Sequence, residues 1–296
     1  MNFDNILERE KIFIENISNI NNYDNNIKHL LYIIIPAFII KYGTEYERLI
    51  QDTFKNVLII GNKEPNKQLM AFYTSLPYYN NNELNIKQLI IINNYNKNNL
   101  IEFIDSIVHE FNHALNSYKN TYIIKEDYIY LRTGLSYIKH DKNTLKPIDK
   151  DKSYVLEEIL NTKQTEDIIN IIKEIKTNDY TMNNLIDSIN NETKNEFESK
   201  AYYLENYICK EILNNKTFTS TLSNLRINGN INDIEDWFNN ICGKNKYEIF
   251  INSLNTIMNL DMKYSKSLFK KRVILKIKKE ISKIQSIIKE FDNNTF

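Results

Sequence analysis

Apolar positions recur along this chain at two periods, and each period predicts a different kind of element. Between residues 100 and 118, Leu100, Phe103, Ile104, Ile107, Val108, Phe111, Ala114, Leu115 and Tyr118 return every three or four positions. That spacing predicts a buried amphipathic helix. Asn99, followed three residues later by Glu102, resembles a capping box at its start. Three runs rich in branched and aromatic residues come before it, at 57–60, 69–74 and 86–92, separated by Asn, Gly and Pro clusters; these predict strands. The last run is mostly apolar, as a strand covered on both faces requires. Residues 27–54 read as one or two helices with a break at Pro36. Residues 122–130 and 131–139 read as a pair of strands, with Gly134 in the second. A polar loop over 142–152 then leads to a helix starting near Ser153 or Tyr154. All four prolines lie at or before Pro147, so the remainder from Ile148 is expected to be mainly helical. The class expected is α+β. Residues 1–118 are expected to form a lobe containing the strands and the helix at 100–118, and 119–296 a hairpin plus a mainly helical lobe.

Composition narrows the function classes without choosing among them. A chain of 296 residues can bury a substantial core. Its 42% hydrophobic and 26% charged residues are ordinary for a soluble globular protein. The formal net charge is zero, so the whole molecule has no general attraction to nucleic acid or acidic lipid. The most apolar stretch, 30–40, is interrupted by Pro36 and falls short of the roughly 20 residues a membrane span needs. A core helix is expected there, and no transmembrane segment. The first eleven residues mix acidic and basic side chains with no apolar run to follow, which argues against a secretory signal. Cytoplasmic residence is the expectation. Cys209 and Cys242 fit no metal spacing and are expected to be buried free thiols rather than a disulfide.

Charge is distributed unevenly at the C-terminal end. Residues 263–291 carry ten Lys or Arg against Glu280 and Glu290, a net of +8. Ile274, Ile277, Ile281, Ile284, Ile288 and Phe291 keep helical spacing through that stretch. The pattern predicts a basic helix packed by one apolar stripe on the body of the protein, with a protein partner or self-association as the alternative. Trp237, Ile234 and Phe238 are expected in the core.

The chemistry concentrates in His109-Glu110-Phe111-Asn112-His113, inside the expected helix at 100–118. Residues four apart share a helix face, so two imidazoles can meet one metal ion. Glu110 sits one step around the helix, where it can act as general base on a metal-activated water. Chance predicts roughly 0.004 such matches in a chain with 4 histidines, so the pattern is specific.

With this motif on a helix preceded by a strand, the segment from Val57 to about Glu166 resembles the zincin metallopeptidases. The resemblance implies a zincin-like first lobe, a bound Zn2+ held by His109 and His113, and Glu110 as the catalytic base. It also implies that the strand before the motif helix borders the site. The metzincin third histidine is absent: Ala114-Leu115-Asn116-Ser117-Tyr118 follows His113, and the next histidine, His140, is expected in a polar loop downstream. The resemblance is therefore to the gluzincins, in which a glutamate on a later helix completes the ligand set. Aligned on their Asn-Glu-Gly pattern, Glu158 takes the ligand position, with Glu157 in place of Asn and Ile159 in place of Gly. Glu157 and Glu198 remain alternatives. At least one of Glu157 and Glu158 is expected to be an exposed first-turn glutamate favoured by the helix dipole. Asn161, Thr162 and Thr165 could orient the imidazoles, or face solvent. Tyr203 is of a type that donates to an oxyanion, but among 20 tyrosines none is singled out.

The function implied is a zinc-dependent peptidase acting on a peptide or protein substrate, with no nucleic acid expected. One alternative is a dedicated regulatory or toxin-like protease with a single partner. Its basis is a composition similar to that of clostridial toxin light chains, whose motifs match only at the histidine pair with Glu110 and loosely at Glu157-Glu158. A non-enzymatic helical interaction protein with a structural metal site is the other.

Overall fold

A computed structural model describes residues 3–23, 25–61, 71–92, 100–119, 121–150, 152–193, 197–199, 203–229, 233–264 and 270–294. Within them the chain is mixed α+β, with much more helix than strand. Its first part runs through α1 (Phe3–Ile20), α2 (Asn25–Tyr42), a 3-10 turn (Thr44–Tyr46), α3 (Glu47–Asn56), β1 (Val57–Gly61), β2 (Ala71–Asn80), β3 (Glu83–Ile92) and α4 (Leu100–Ser117). Four strands follow: β4 (Tyr122–Lys125), β5 (Tyr128–Thr133), β6 (Ser136–Asp141) and β7 (Pro147–Lys150). The rest is helical: α5 (Tyr154–Glu174), α6 (Tyr180–Glu192), α7 (Tyr203–Asn214), α8 (Lys216–Asn228), α9 (Ile234–Cys242), α10 (Lys246–Tyr264) and α11 (Lys270–Asn294).

These elements form two compact units. The first comprises Met1–Tyr118 with Gln164–Ser199, and the second Lys119–Lys163 with Lys200–Phe296. A division into 1–118 and 119–296 therefore misses the return of 164–199 to the first unit. The physical reason is α5, one unbroken helix whose opening residues belong to the second unit and whose remainder belongs to the first.

In the first unit, α2 continues through Pro36 instead of breaking there. Every residue from Leu30 to Ile39 is buried, and each large apolar side chain so placed contributes about 1.5–3 kcal/mol. That outweighs the roughly 3 kcal/mol cost of an interior proline. The chain bends instead at Gly43, whose φ of 99° suits glycine and where a Cβ would overlap the Glu45 carboxylate.

The sheet of this unit has the order β1-β3-β2. β3 pairs parallel with β1 (Ile59 opposite Ile90) and antiparallel with β2 (Tyr73 opposite Ile90). The strand preceding α4 is thus the central one, and β2 lies at one edge of the sheet. β3 carries the run Leu89–Ile92, which is mostly buried and gains most where neighbours flank it on both sides. β2 reaches further than the expected 69–74, passing through Pro77, which an edge strand tolerates. Residues 69 and 70 and the proposed cap Asn99 lie outside the described residues. Asn81 and Asn82, with φ of 50° and 64°, make the two-residue turn to β3.

In the second unit, β4-β5-β6-β7 form an antiparallel sheet. The two strands expected over 122–139 are three, because Glu126 at φ 51° opens a turn inside the first run and Gly134 at φ 57° turns the chain from β5 into β6. His140 is not in a loop but on β6, buried, with Nδ1 3.1 Å from the Ile138 carbonyl. Ile159, Phe218, Phe238, Phe250, Leu254, Ile288 and Phe291 form one core with their neighbours, and Trp237 packs against it. Asn215 caps α8 by accepting from the Phe218 N–H at 3.1 Å, and Gly229 ends it in the left-handed region. On α11 the apolar stripe is buried only from Ile284 onward. Ile274 stays exposed and Leu275 is 67% exposed among the lysines of the first half of the helix. Residues 265–269 of the basic stretch lie outside the described ones. Cys209 and Cys242 are both free and buried. No single described helix is long and apolar enough to cross a membrane.

Candidate metal centre

The apolar spacing read from the sequence places Phe103, Ile104, Ile107, Val108, Phe111, Ala114 and Leu115 of α4 in the interior. Packing of that stripe fixes the rotation of α4, and rotation decides where its polar side chains point. His109 and His113 then lie one turn apart with ring centroids at 4.9 Å. His113 is buried, while His109 and Glu110 are partly open to solvent.

α5 meets α4 through polar contacts. Asn112 Nδ2 donates to Thr165 Oγ1 at 3.1 Å, and the Tyr42 hydroxyl lies 2.8 Å from Asn112 Oδ1 and 3.0 Å from Gln164 Oε1. Thr165 and Glu158 are seven residues apart on the same helix and so share a face. Glu158, 5% exposed, comes together with the two histidines: one ligand atom of each lies within 4.8 Å of the others. No other group of this kind occurs among the described residues.

A tetrahedral zinc with bonds of about 2.0–2.2 Å keeps its ligand atoms about 3.3 Å apart, so small rotamer changes close the set. Two imidazoles and one carboxylate are also the donor types of a catalytic zinc site with a position left open. The residues fit the metal.

Glu110 points to the sheet. Its Oε2 accepts the Tyr73 backbone N–H at 2.7 Å, and the Tyr73 ring lies nearly parallel to that of His113 with centroids at 6.4 Å. The Tyr73 hydroxyl accepts from Gln88 Nε2 at 2.8 Å and lies 2.8 Å from Ser75 Oγ. Asp105, one turn before His109, takes a hydrogen bond from Ser199 Oγ at 2.9 Å. Burial pushes the Asp105 carboxyl up to about 6; the His109 charge and the Ser199 hydroxyl oppose the rise, and Glu110 adds to it.

The chain matches no family model, no curated protein and no solved structure at a significant level.

The other candidates fall elsewhere. Glu157 is fully buried and has a different occupation: it accepts from Arg226 Nε at 2.8 Å and from the Leu135 N–H at 2.8 Å, and pairs closely with Arg226 Nη2. Neither Glu157 nor Glu158 is the exposed first-turn glutamate that one of them was expected to be: the first is buried against Arg226 and the second is buried near the histidine pair. Glu198 is exposed and stands outside the group. Asn161, Thr162 and Thr165 are buried rather than solvent-facing. Asn161 accepts from Arg226 at 3.2 Å, and Thr162 Oγ1 is shielded with no hydrogen-bond partner among the described residues. The Tyr203 side chain lies outside the described residues.

Sequence reading missed Tyr73 and Asp105. For Tyr73 there is no local signal, since only the pairing of β2 brings its backbone to Glu110. Asp105 had one: it sits four residues before His109, in the same side-chain row.

Proposed function

We propose that this chain is a zinc-dependent metallopeptidase of the zincin type, with His109, His113 and Glu158 holding the ion and Glu110 as general base. The observation that carries the reading is the meeting of Glu158 with the two histidines while Glu110 stays beside them. A purely structural metal site has no use for that extra carboxylate, and it closes its fourth position with a protein ligand.

Zinc bound there supplies Lewis acidity toward the substrate carbonyl and acidifies water. The chain's own residues do the rest. Tyr73 N–H holds one oxygen of Glu110, which aims the carboxylate. Glu110 takes a proton from the attacking water and returns it to the departing amine nitrogen. A peptide suits the surroundings, because β2 is an edge strand and one row of its backbone groups faces away from β3. Tyr73 lies on that strand, so an extended peptide alongside β2 would pass next to Glu110.

The test compares wild type with Glu110→Gln for zinc content and for cleavage of a mixed peptide library. Wild type is expected to hold about one zinc per chain and to cleave, and the variant to keep the metal and lose cleavage. Negligible zinc uptake by wild type on titration overturns the reading.

A further inference from the structure

We infer that Asp105 is a positioning residue for His109: its carboxylate accepts the proton on the imidazole nitrogen turned away from the ligand side, which sets the tautomer and angle of the ring. The inference deepens the metal-centre reading and rests on it.

Three observations converge. Asp105 and His109 are four apart on α4, in one side-chain row, and helical side chains lean toward the N-terminus, so the His109 ring leans toward Asp105. Asp105 Oδ2 is already satisfied by the Ser199 hydroxyl. Asp105 Oδ1 is shielded from solvent and has no hydrogen-bond partner among the described residues. Leaving such an oxygen without a donor costs about 1–3 kcal/mol, more for a charged group, and an imidazole N–H is the donor next along the row.

The carboxylate is also held firmly from behind. Ser199 N–H donates to Glu166 Oε1 at 3.0 Å, and Phe197 N–H donates to Asn170 Oδ1 at 2.9 Å. Residues 197–199 are thereby fastened to α5, and the Ser199 hydroxyl fixes the plane of Asp105. Ligating histidines need such a partner on the second ring nitrogen, because it selects the tautomer and raises the basicity of the first. Thr165, on the Glu158 helix, accepts a hydrogen bond from Asn112.

Two variants and two readouts test this. Asp105→Leu removes the acceptor but fills the space with an apolar group. Asp105→Asn keeps an acceptor oxygen. Nitrogen-15 NMR of the metal-free protein reads the His109 tautomer, and competition with a chromophoric chelator reads zinc affinity. Wild type is expected to show one His109 tautomer, and Asp105→Leu a mixture with zinc affinity lowered about 10–100-fold at undiminished thermal stability. Asp105→Asn is expected to recover most of the affinity and the single tautomer, which a merely space-filling role would not produce. An unchanged tautomer and affinity in Asp105→Leu overturns the inference, as does an Asp105→Asn no better than Asp105→Leu. Wild type that takes up no zinc sinks the metal reading alone, and the tautomer of the metal-free protein still decides the Asp105–His109 contact.

Discussion

On α4, the residues that hold the histidines in place are apolar neighbours in the sequence: Ile104, Ile107, Val108 and Phe111 are all buried within a few positions of His109. At the start of α5, the residue beside the candidate ligand is instead held by a charge. Glu157 is buried against Arg226, which lies 69 residues further along the chain. Arg132 adds a second buried guanidinium, donating to the carbonyls of Arg226 at 2.8 Å and Gly134 at 2.9 Å. The α4 side of the candidate metal centre is thus positioned by hydrophobic packing, which tolerates changes of shape. The start of α5 is anchored by a buried ion pair, and loss of either partner costs fold stability.

The comparison predicts different consequences for adjacent residues, beginning with catalysis. On α4, His113→Ala is expected to abolish zinc uptake and cleavage together. Glu110→Gln should keep zinc while slowing cleavage about 10²–10⁴-fold, the usual worth of a positioned base. Metal analysis with steady-state rates checks both, and near-wild-type turnover in Glu110→Gln would remove the base from its role.

The sharpest contrast is between Glu157 and Glu158. Glu157→Ala leaves Arg226 buried without its counter-charge and is expected to destabilise the fold by about 3–5 kcal/mol. Zinc affinity of the folded fraction should stay within a few-fold of wild type. Glu158→Ala should do the reverse, weakening zinc more than the roughly 100-fold typical of an outer-shell loss, at little cost to unfolding free energy. Denaturant titration paired with chelator competition reads both quantities. If the two variants exchanged their effects, the division of labour between the carboxylates would be wrong.

A smaller effect comes from the turn that cradles Glu157. Gly134 sits at φ 57°, and a Cβ there would overlap the Glu157 carboxylate. Gly134→Ala is expected to cost about 1–3 kcal/mol in the same denaturant assay. A neutral result would mean that the turn can move away from the ion pair at no cost.

The smallest effect concerns His140, which lies outside the site. Burial holds His140 below its ordinary value of 6.5, with the Ile138 carbonyl opposing the shift. The unfolded chain therefore binds this proton first as pH falls. The stability contribution is full above 6.5 and is lost as pH falls through the lower folded value. His140→Gln should flatten the stability–pH curve in that window, and an unchanged curve would show that another group governs it.

Local spacing alone determined the helix at α4, the shared face of His109 and His113, the start of α5 near Tyr154, and the predominance of helix after Pro147. These follow from 3.6-residue periodicity and from the cost of proline, both of which act within a few residues. Tertiary structure decided the rest. Burial of Leu30–Ile39 carried a helix through Pro36, and strand pairing gave β2 rather than β3 the edge and brought the Tyr73 N–H to Glu110. Only the fold brought Arg226 to Glu157, leaving Glu158 as the carboxylate that reaches the histidines. Two consecutive glutamates are equivalent to any local rule; a buried cation 69 residues away separates them, because desolvation makes the choice of partner a matter of several kcal/mol.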